Sequence, residues 1–292
     1  MKILIVGANS HIGARIYSQM DHSKHAIIGT YCQHPADDLS HLDITNENSV
    51  RDFSKKYNPD LIIHLSAITS TDFCQENPKI AREIHVEGTK RLLSHFDSRF
   101  IFSSTNVVFY GPNTSYYEDD FSNRNPRSVY GKTKVEAEDA VLENGGTVVR
   151  FDLVLSNSKP YQPQQAFNEM VISKLRKGDT INLWTDYLIK PLSNFSVAEG
   201  VEKLVDYKGK RRIFHLAGKN QVSSEQLGLM VAQIFGLDSS FIKPIPRTPK
   251  DLETRPSSVS LSTSLTERDL QWKPRSLNES LLELKKELQP VS

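Results

Sequence analysis

The chain predicts an α/β fold, a doubly wound parallel sheet with a smaller C-terminal lobe. Three observations carry this expectation. In the first half, short apolar runs alternate with longer amphipathic ones. The apolar runs are nearly continuous in hydrophobic character, as strands buried on both faces must be. A glycine turn closes the first run and heads the first amphipathic segment.

Taken in order, Lys2–Val6, Ala26–Thr30, Leu61–His64, Phe100–Ser103 and Thr147–Arg150 read as strands, each short and rich in β-branched or aromatic residues. Helices are expected between them over His11–Met20, Glu47–Tyr57, Pro78–His95 and Pro126–Glu143. Asn46 suits the cap of the second, and Asn77-Pro78 suits the start of the third. Such alternation implies right-handed βαβ units. After Arg150 the pattern loosens. Ser156–Gln165, rich in Ser, Pro and Gln, reads as a loop. Helices follow at Ala166–Lys177, Val197–Asp206, Ser224–Phe235 and Leu277–Leu288, with short strands near Ile181–Trp184, Ile213–Leu216 and Ser258–Leu261. Residues 1–155 are thus expected to form a dinucleotide-binding Rossmann domain. Residues 156–292 are expected to form mainly a C-terminal substrate-binding lobe over the carboxyl ends of the strands.

Composition narrows the function classes. The 292 residues suit one large α/β domain or two unequal parts, and 38% hydrophobic residues supply a sizeable core. The formal net charge is +1, and no basic block or acidic tail marks a nucleic-acid or membrane partner. The basic run Lys208–Arg212 reads as a solvated turn. The N-terminal apolar run is too short for a signal peptide, and no stretch nears the roughly 18 apolar residues of a membrane span. A cytoplasmic, reduced protein is expected. Two cysteines, Cys32 and Cys74, argue against a disulfide framework or a cysteine-rich zinc site. None of the nine histidines has the His-x-x-x-His spacing of a helical zinc site, so no metal is expected.

Gly7-Ala8-Asn9-Ser10-His11-Ile12-Gly13 is the candidate cofactor turn. Glycine lets the backbone approach a pyrophosphate, whose charge suits the free N–H groups at a helix N-terminus. The plain alternative is a simple strand-to-helix turn. The second strand ends in Thr30-Tyr31-Cys32-Gln33-His34, without the acid that NAD-selective sites present to the ribose and without an arginine for a 2′-phosphate. The balance leans to NADP(H), with NAD(H) retained. Asp43, followed by Ile44, is a candidate to face the adenine or to cap the helix beyond.

The candidate catalytic pair is Tyr130 and Lys134. Positions i and i+4 share a helix face, and a nearby ammonium would stabilise a phenolate whose free pKa is near 10. Lys132 lies on another face. Upstream, Ser103-Ser104-Thr105 puts hydroxyls at the carboxyl end of the fourth long strand, where doubly wound sheets hold ligands. Ser103 and Ser104 compete to orient a carbonyl, with turn chemistry as their plain alternative.

Together these stretches resemble the extended short-chain dehydrogenase/reductases, and within them the dTDP-4-dehydrorhamnose reductase group. The similarity runs through Asp43-Ile44-Thr45, Pro59–His64, Asp72–Pro78, Ser104–Phe109, Tyr130–Lys134, Val149-Arg150 and Arg255–Leu261. The resemblance implies Thr105 as the carbonyl-orienting hydroxyl, Tyr130 as proton donor and Lys134 as its activator. It adds Ser66 and Ala67 to the cofactor-binding set, Asn106 to the substrate side, and Arg255 as a diphosphate contact, unless Arg255 forms a surface ion pair. The implied activity is NAD(P)H-dependent reduction of a 4-keto nucleotide-sugar, as in dTDP-rhamnose biosynthesis, with a homodimer left open. The alternatives are an epimerase or dehydratase, and a non-catalytic NAD(P)-binding regulatory subunit. The chain departs from the family pattern at Ser10 (a glycine there), at His64-Leu65-Ser66-Ala67 (Asn-Ala-Ala), at His85 (asparagine) and at Asn106 (aspartate). It also lacks the aromatic-glycine ending after Arg150. Phe109-Tyr110 and Tyr116-Tyr117 either stack on ligand or plug a lobe interface, and Trp184 and Trp272 read as anchors.

Overall fold

The computed structural model describes residues 1–111, 115–157, 165–256 and 258–288. Residues 158–164 of the expected Ser156–Gln165 loop therefore lie outside the described residues. Seven strands form one sheet: β1 (Lys2–Val6), β2 (Ala26–Tyr31), β3 (Ser40–His41), β4 (Leu61–His64), β5 (Arg99–Thr105), β6 (Thr147–Phe151) and β7 (Ile213–Leu216). Their order is β7-β6-β5-β4-β1-β2-β3, and every pairing is parallel. The reversal beside β1 creates a crevice at the carboxyl ends of β1 and β4, the usual ligand position in such sheets.

Helices α1 (His11–Gln19), α2 (Glu47–Lys56), α3 (Thr71–Glu76), α4 (Pro78–Arg82), α5 (Gly88–His95) and α6 (Val129–Glu143) lie between these strands in sequence, and α7 (Phe167–Lys177) and α8 (Asn194–Asp206) follow. The period-2 alternation of β1 separates two cores. Ile3 and Ile5 join the cluster containing Val197, Val201 and Trp272, whereas Leu4 and Val6 join that of Phe53, Phe100 and Val141. Asn46 caps α2, its side chain accepting from Asn48 and Ser49, and Pro78 opens α4 behind Asn77.

Two expectations need correction. The helix expected over Pro78–His95 is interrupted: a π turn at Glu83–Glu87 separates α4 from α5, and α3 precedes them. Ile213–Leu216 is a strand as expected, but it does not belong to the lobe. It pairs with β6 as the seventh strand of the central sheet, and α8 packs on α1. Local periodicity identifies a strand but cannot name its partner across a long loop. The lobe has its own core, where α7, Ser224–Phe235 and Leu277–Leu288 bring together Val171, Leu175, Val231 and Leu281. Among the described residues, no helix is long and apolar enough to cross a membrane.

Candidate active site

At the end of β1, Gly7 takes φ +85°, a left-handed conformation that costs glycine little. A Cβ on Gly13 would fall 2.1 Å from the Gly7 carbonyl oxygen, so the first turn of α1 closes this tightly only with glycine there. Ser10, the departure from the glycine pattern, caps α1: its hydroxyl accepts from the Gly13 amide at 3.0 Å. The Asn9 side-chain amide donates to the His34 carbonyl at 3.0 Å, tying the turn to the end of β2. A cleft of about 650 Å³ opens here, lined at this end by Asn9, Ser10, His11, Ile12, Gln33 and His34.

The same cleft reaches Ala67, Thr105, Asn106, Tyr130 and Lys134. Ser128 caps α6 by accepting from the Gly131 amide, which sets Tyr130 in the first turn. Thr105, at the end of β5, donates to Asn106 Oδ1 at 3.2 Å and lines the cleft with Tyr130. Burial pushes Tyr130 up to about 12, with the Thr105 hydroxyl opposing it. Lys134 is 2% exposed, and its ammonium donates to the Ser103 carbonyl at 2.6 Å above the Phe102 ring. Burial pushes it down to about 7, against the opposing field of Glu138. The ammonium is turned to the carbonyl at the end of β5, and burial is the largest influence on Tyr130.

Ser104 belongs to a buried ionic knot. Ser104 donates to Glu138 Oε1 at 2.5 Å, so Ser104 is committed away from the phenol. Glu138 also receives Arg150 at 2.9 and 2.7 Å and Arg124 at 3.1 Å, with Glu138 and Arg150 both fully buried. His215 donates from Nδ1 to the Ser262 carbonyl and accepts from Arg150 through Nε2 at 3.3 Å. The knot ties α6 to β5, β6 and β7. His85, in the π turn, is neutral: Nε2 accepts from the Ile68 amide at 3.0 Å, leaving the Nδ1 proton to Thr133 at 2.7 Å. Burial holds its pKa down to about 3, and its ring meets Tyr130 edge-on at 5.7 Å.

Other expected residues lie away from the cleft lining. Asp43 accepts from the amide and hydroxyl of Thr45 in a local turn. Ile44 packs in the core against Gly88, and Ser66 stands behind Gly7. Arg255 pairs with Asp72 at 2.8 Å, the ion-pair alternative. Phe109 stacks on Tyr116 at 4.1 Å within a buried cluster with Ala217 and Leu261. Cys32 and Cys74 are both free. The sequence reading passed over Asp152, Tyr187 and Glu138. A carboxylate placed directly after a buried apolar strand, as Asp152 is, was the available signal.

Residues 1–289 match the RmlD substrate binding domain family. The chain belongs to that family. This RmlD-family chain is 28% identical to a probable low-salt glycan biosynthesis reductase of Haloferax volcanii, over 97% of each chain. It is 24% identical to the methionine adenosyltransferase 2 subunit beta of Bos taurus, over 91% of this chain and 81% of that protein. A solved dTDP-4-dehydrorhamnose reductase of Clostridium acetobutylicum has a TM-score of 0.83 and 28% identity, covering 99% of this chain and 100% of that one. Structures sharing the fold hold NADP or NAD. The protein is an NAD(P)-dependent oxidoreductase of the extended short-chain dehydrogenase/reductase type.

Proposed function

We propose that the chain reduces a 4-keto nucleotide-sugar, with Tyr130 delivering the proton to the carbonyl oxygen. The observation that carries this reading is a single cleft lined by Thr105, Tyr130 and Lys134 and, at its far end, by Asn9, Ser10, His11 and Ile12 of the glycine turn. Gly7, Asn9, Ser10, His11, Ile12 and Gly13 cradle the pyrophosphate, with Asp43, Ile44, Ser66 and Ala67 completing the cofactor side. When bound, the nicotinamide supplies the hydride. Gln33 and His34 occupy the place where an acid would repel a 2′-phosphate, which favours NADP(H) over NAD(H).

Thr105 and Asn106 hold the carbonyl. Tyr130, held near 12, keeps its proton at neutral pH until negative charge develops on the substrate oxygen. Lys134, as the ammonium, would offset the phenolate left behind and hold the nicotinamide ribose. Gln165, Ala166, Phe167 and Tyr187 line the opposite wall, the contribution of the lobe formed mainly by residues 156–292. Arg255 would reach a diphosphate only by releasing Asp72. A small soluble substrate suits a cytoplasmic enzyme.

The test is NADPH and NADH oxidation against a set of 4-keto nucleotide-sugars. The wild type should consume cofactor in proportion to product. Tyr130→Phe should still bind cofactor while turnover falls about 10²- to 10⁴-fold. Sugar conversion without net oxidation would identify an epimerase or dehydratase instead. No oxidation, with a stoichiometric protein partner on purification, would favour the regulatory role suggested by the subunit beta similarity.

A further inference from the structure

Among the described residues lining the cleft, Asp152 is the only carboxylate. It follows β6 at the carboxyl edge of the sheet and is 5% exposed. Its Oδ1 accepts from the Leu153 amide at 2.7 Å. Oδ2 is buried and has no hydrogen-bond partner. Lys190, a cation whose field acts on it, gives its ammonium to the Leu261 carbonyl at 3.1 Å. Tyr187, another lining residue, lies within electrostatic reach of both Asp152 and Tyr130. Asp152, Tyr187 and the proton donor Tyr130 therefore line one cleft, and the carboxylate brings to it an oxygen without a partner.

A buried carboxylate with an unfilled acceptor position is costly to the free protein. An ionised carboxylate only accepts, so the group that completes it must donate. Phosphate oxygens and carboxylates are repelled by it, whereas neutral sugar hydroxyls satisfy it. We propose that Asp152 Oδ2 accepts a hydrogen bond from a sugar hydroxyl of the substrate, selecting an uncharged, hydroxylated hexose and rejecting a uronate. This assignment rests on the nucleotide-sugar reading given above.

Isothermal titration of the full chain with dTDP-glucose against dTDP, UDP-glucose against UDP, and UDP-glucuronate tests it. Wild type should bind the glucosyl nucleotide more tightly than the bare diphosphate. Asp152→Ala and Asp152→Asn should lose that margin by about tenfold or more while diphosphate affinity holds. Asparagine keeps its carbonyl on Leu153 and turns an amide donor toward the sugar, so the isosteric variant decides if the alanine one fails to fold. UDP-glucuronate should bind Asp152→Asn better than wild type. A wild-type margin that survives in both variants overturns the assignment and leaves the nucleotide-sugar reading intact. A wild type that binds neither glucosyl nucleotide overturns both.

Discussion

The two ends of the cleft are built by opposite means. At the glycine turn the backbone does the shaping: Gly7 at φ +85° and Gly13 closed against the Gly7 carbonyl. At the catalytic end, side chains do it. Tyr130 and Lys134 are buried, and their helix is fixed by Glu138, Arg150 and Arg124 in a knot with almost no solvent. The first end fails when volume is added; the second fails when charge is removed. A short motif therefore describes the first end well, while the second depends on residues brought together from four elements.

The contrast sharpens under substitution. The largest loss should come from Glu138→Gln, which strands the buried Arg150 charge. Unfolding in denaturant should show about 3–5 kcal/mol lost, whereas removing only the exposed partner Asp139 should cost under about 1 kcal/mol. Next, Gly13→Ala should cost about 1–3 kcal/mol by overpacking the turn and should weaken cofactor binding in a fluorescence titration, with the Tyr130 end unaffected. If Gly13→Ala binds cofactor as wild type does, the backbone account of that end fails.

Asp152 should behave in the opposite sense. Burial raises its carboxyl from 3.8 to about 6, so between those values the folded state binds the proton more tightly than the unfolded chain. Stability conferred by that proton is full at low pH and is lost as pH rises through about 6. Asp152→Asn should therefore raise stability at pH 7.5 by roughly 1–2 kcal/mol, the gain vanishing toward pH 4 in a series of thermal melts. The smallest effect belongs to Ser10→Gly, which gives up the cap on Gly13. It should cost a few tenths of a kcal/mol and leave cofactor affinity near wild type. A large loss of affinity there would mean that Ser10 itself contacts the ligand.

Much of this was legible from the residues. The first four long strands and the helices over Glu47–Lys56, Ser224–Phe235 and Leu277–Leu288 were placed within a residue or two at their ends. Their apolar periods and caps are local signals. The break at Glu83–Glu87 was not legible: nothing in the run over Pro78–His95 announces a π turn, which is stabilised by His85 bonding across to Ile68 and Thr133. Likewise nothing in the sequence announces that the Ser104 hydroxyl is taken up by Glu138 on another element.

By itself the sequence determined the alternation of strand and helix, the glycine turn and the Tyr130–Lys134 spacing, because each depends on neighbours within a few bonds. Tertiary structure decided that β7 joins the central sheet, that Lys134 faces the Ser103 carbonyl, and that Asp152, in the cleft lining, keeps a buried oxygen without a partner. Those outcomes depend on burial and on partners tens of residues away, and the energy of a buried charge is set by what surrounds it in space.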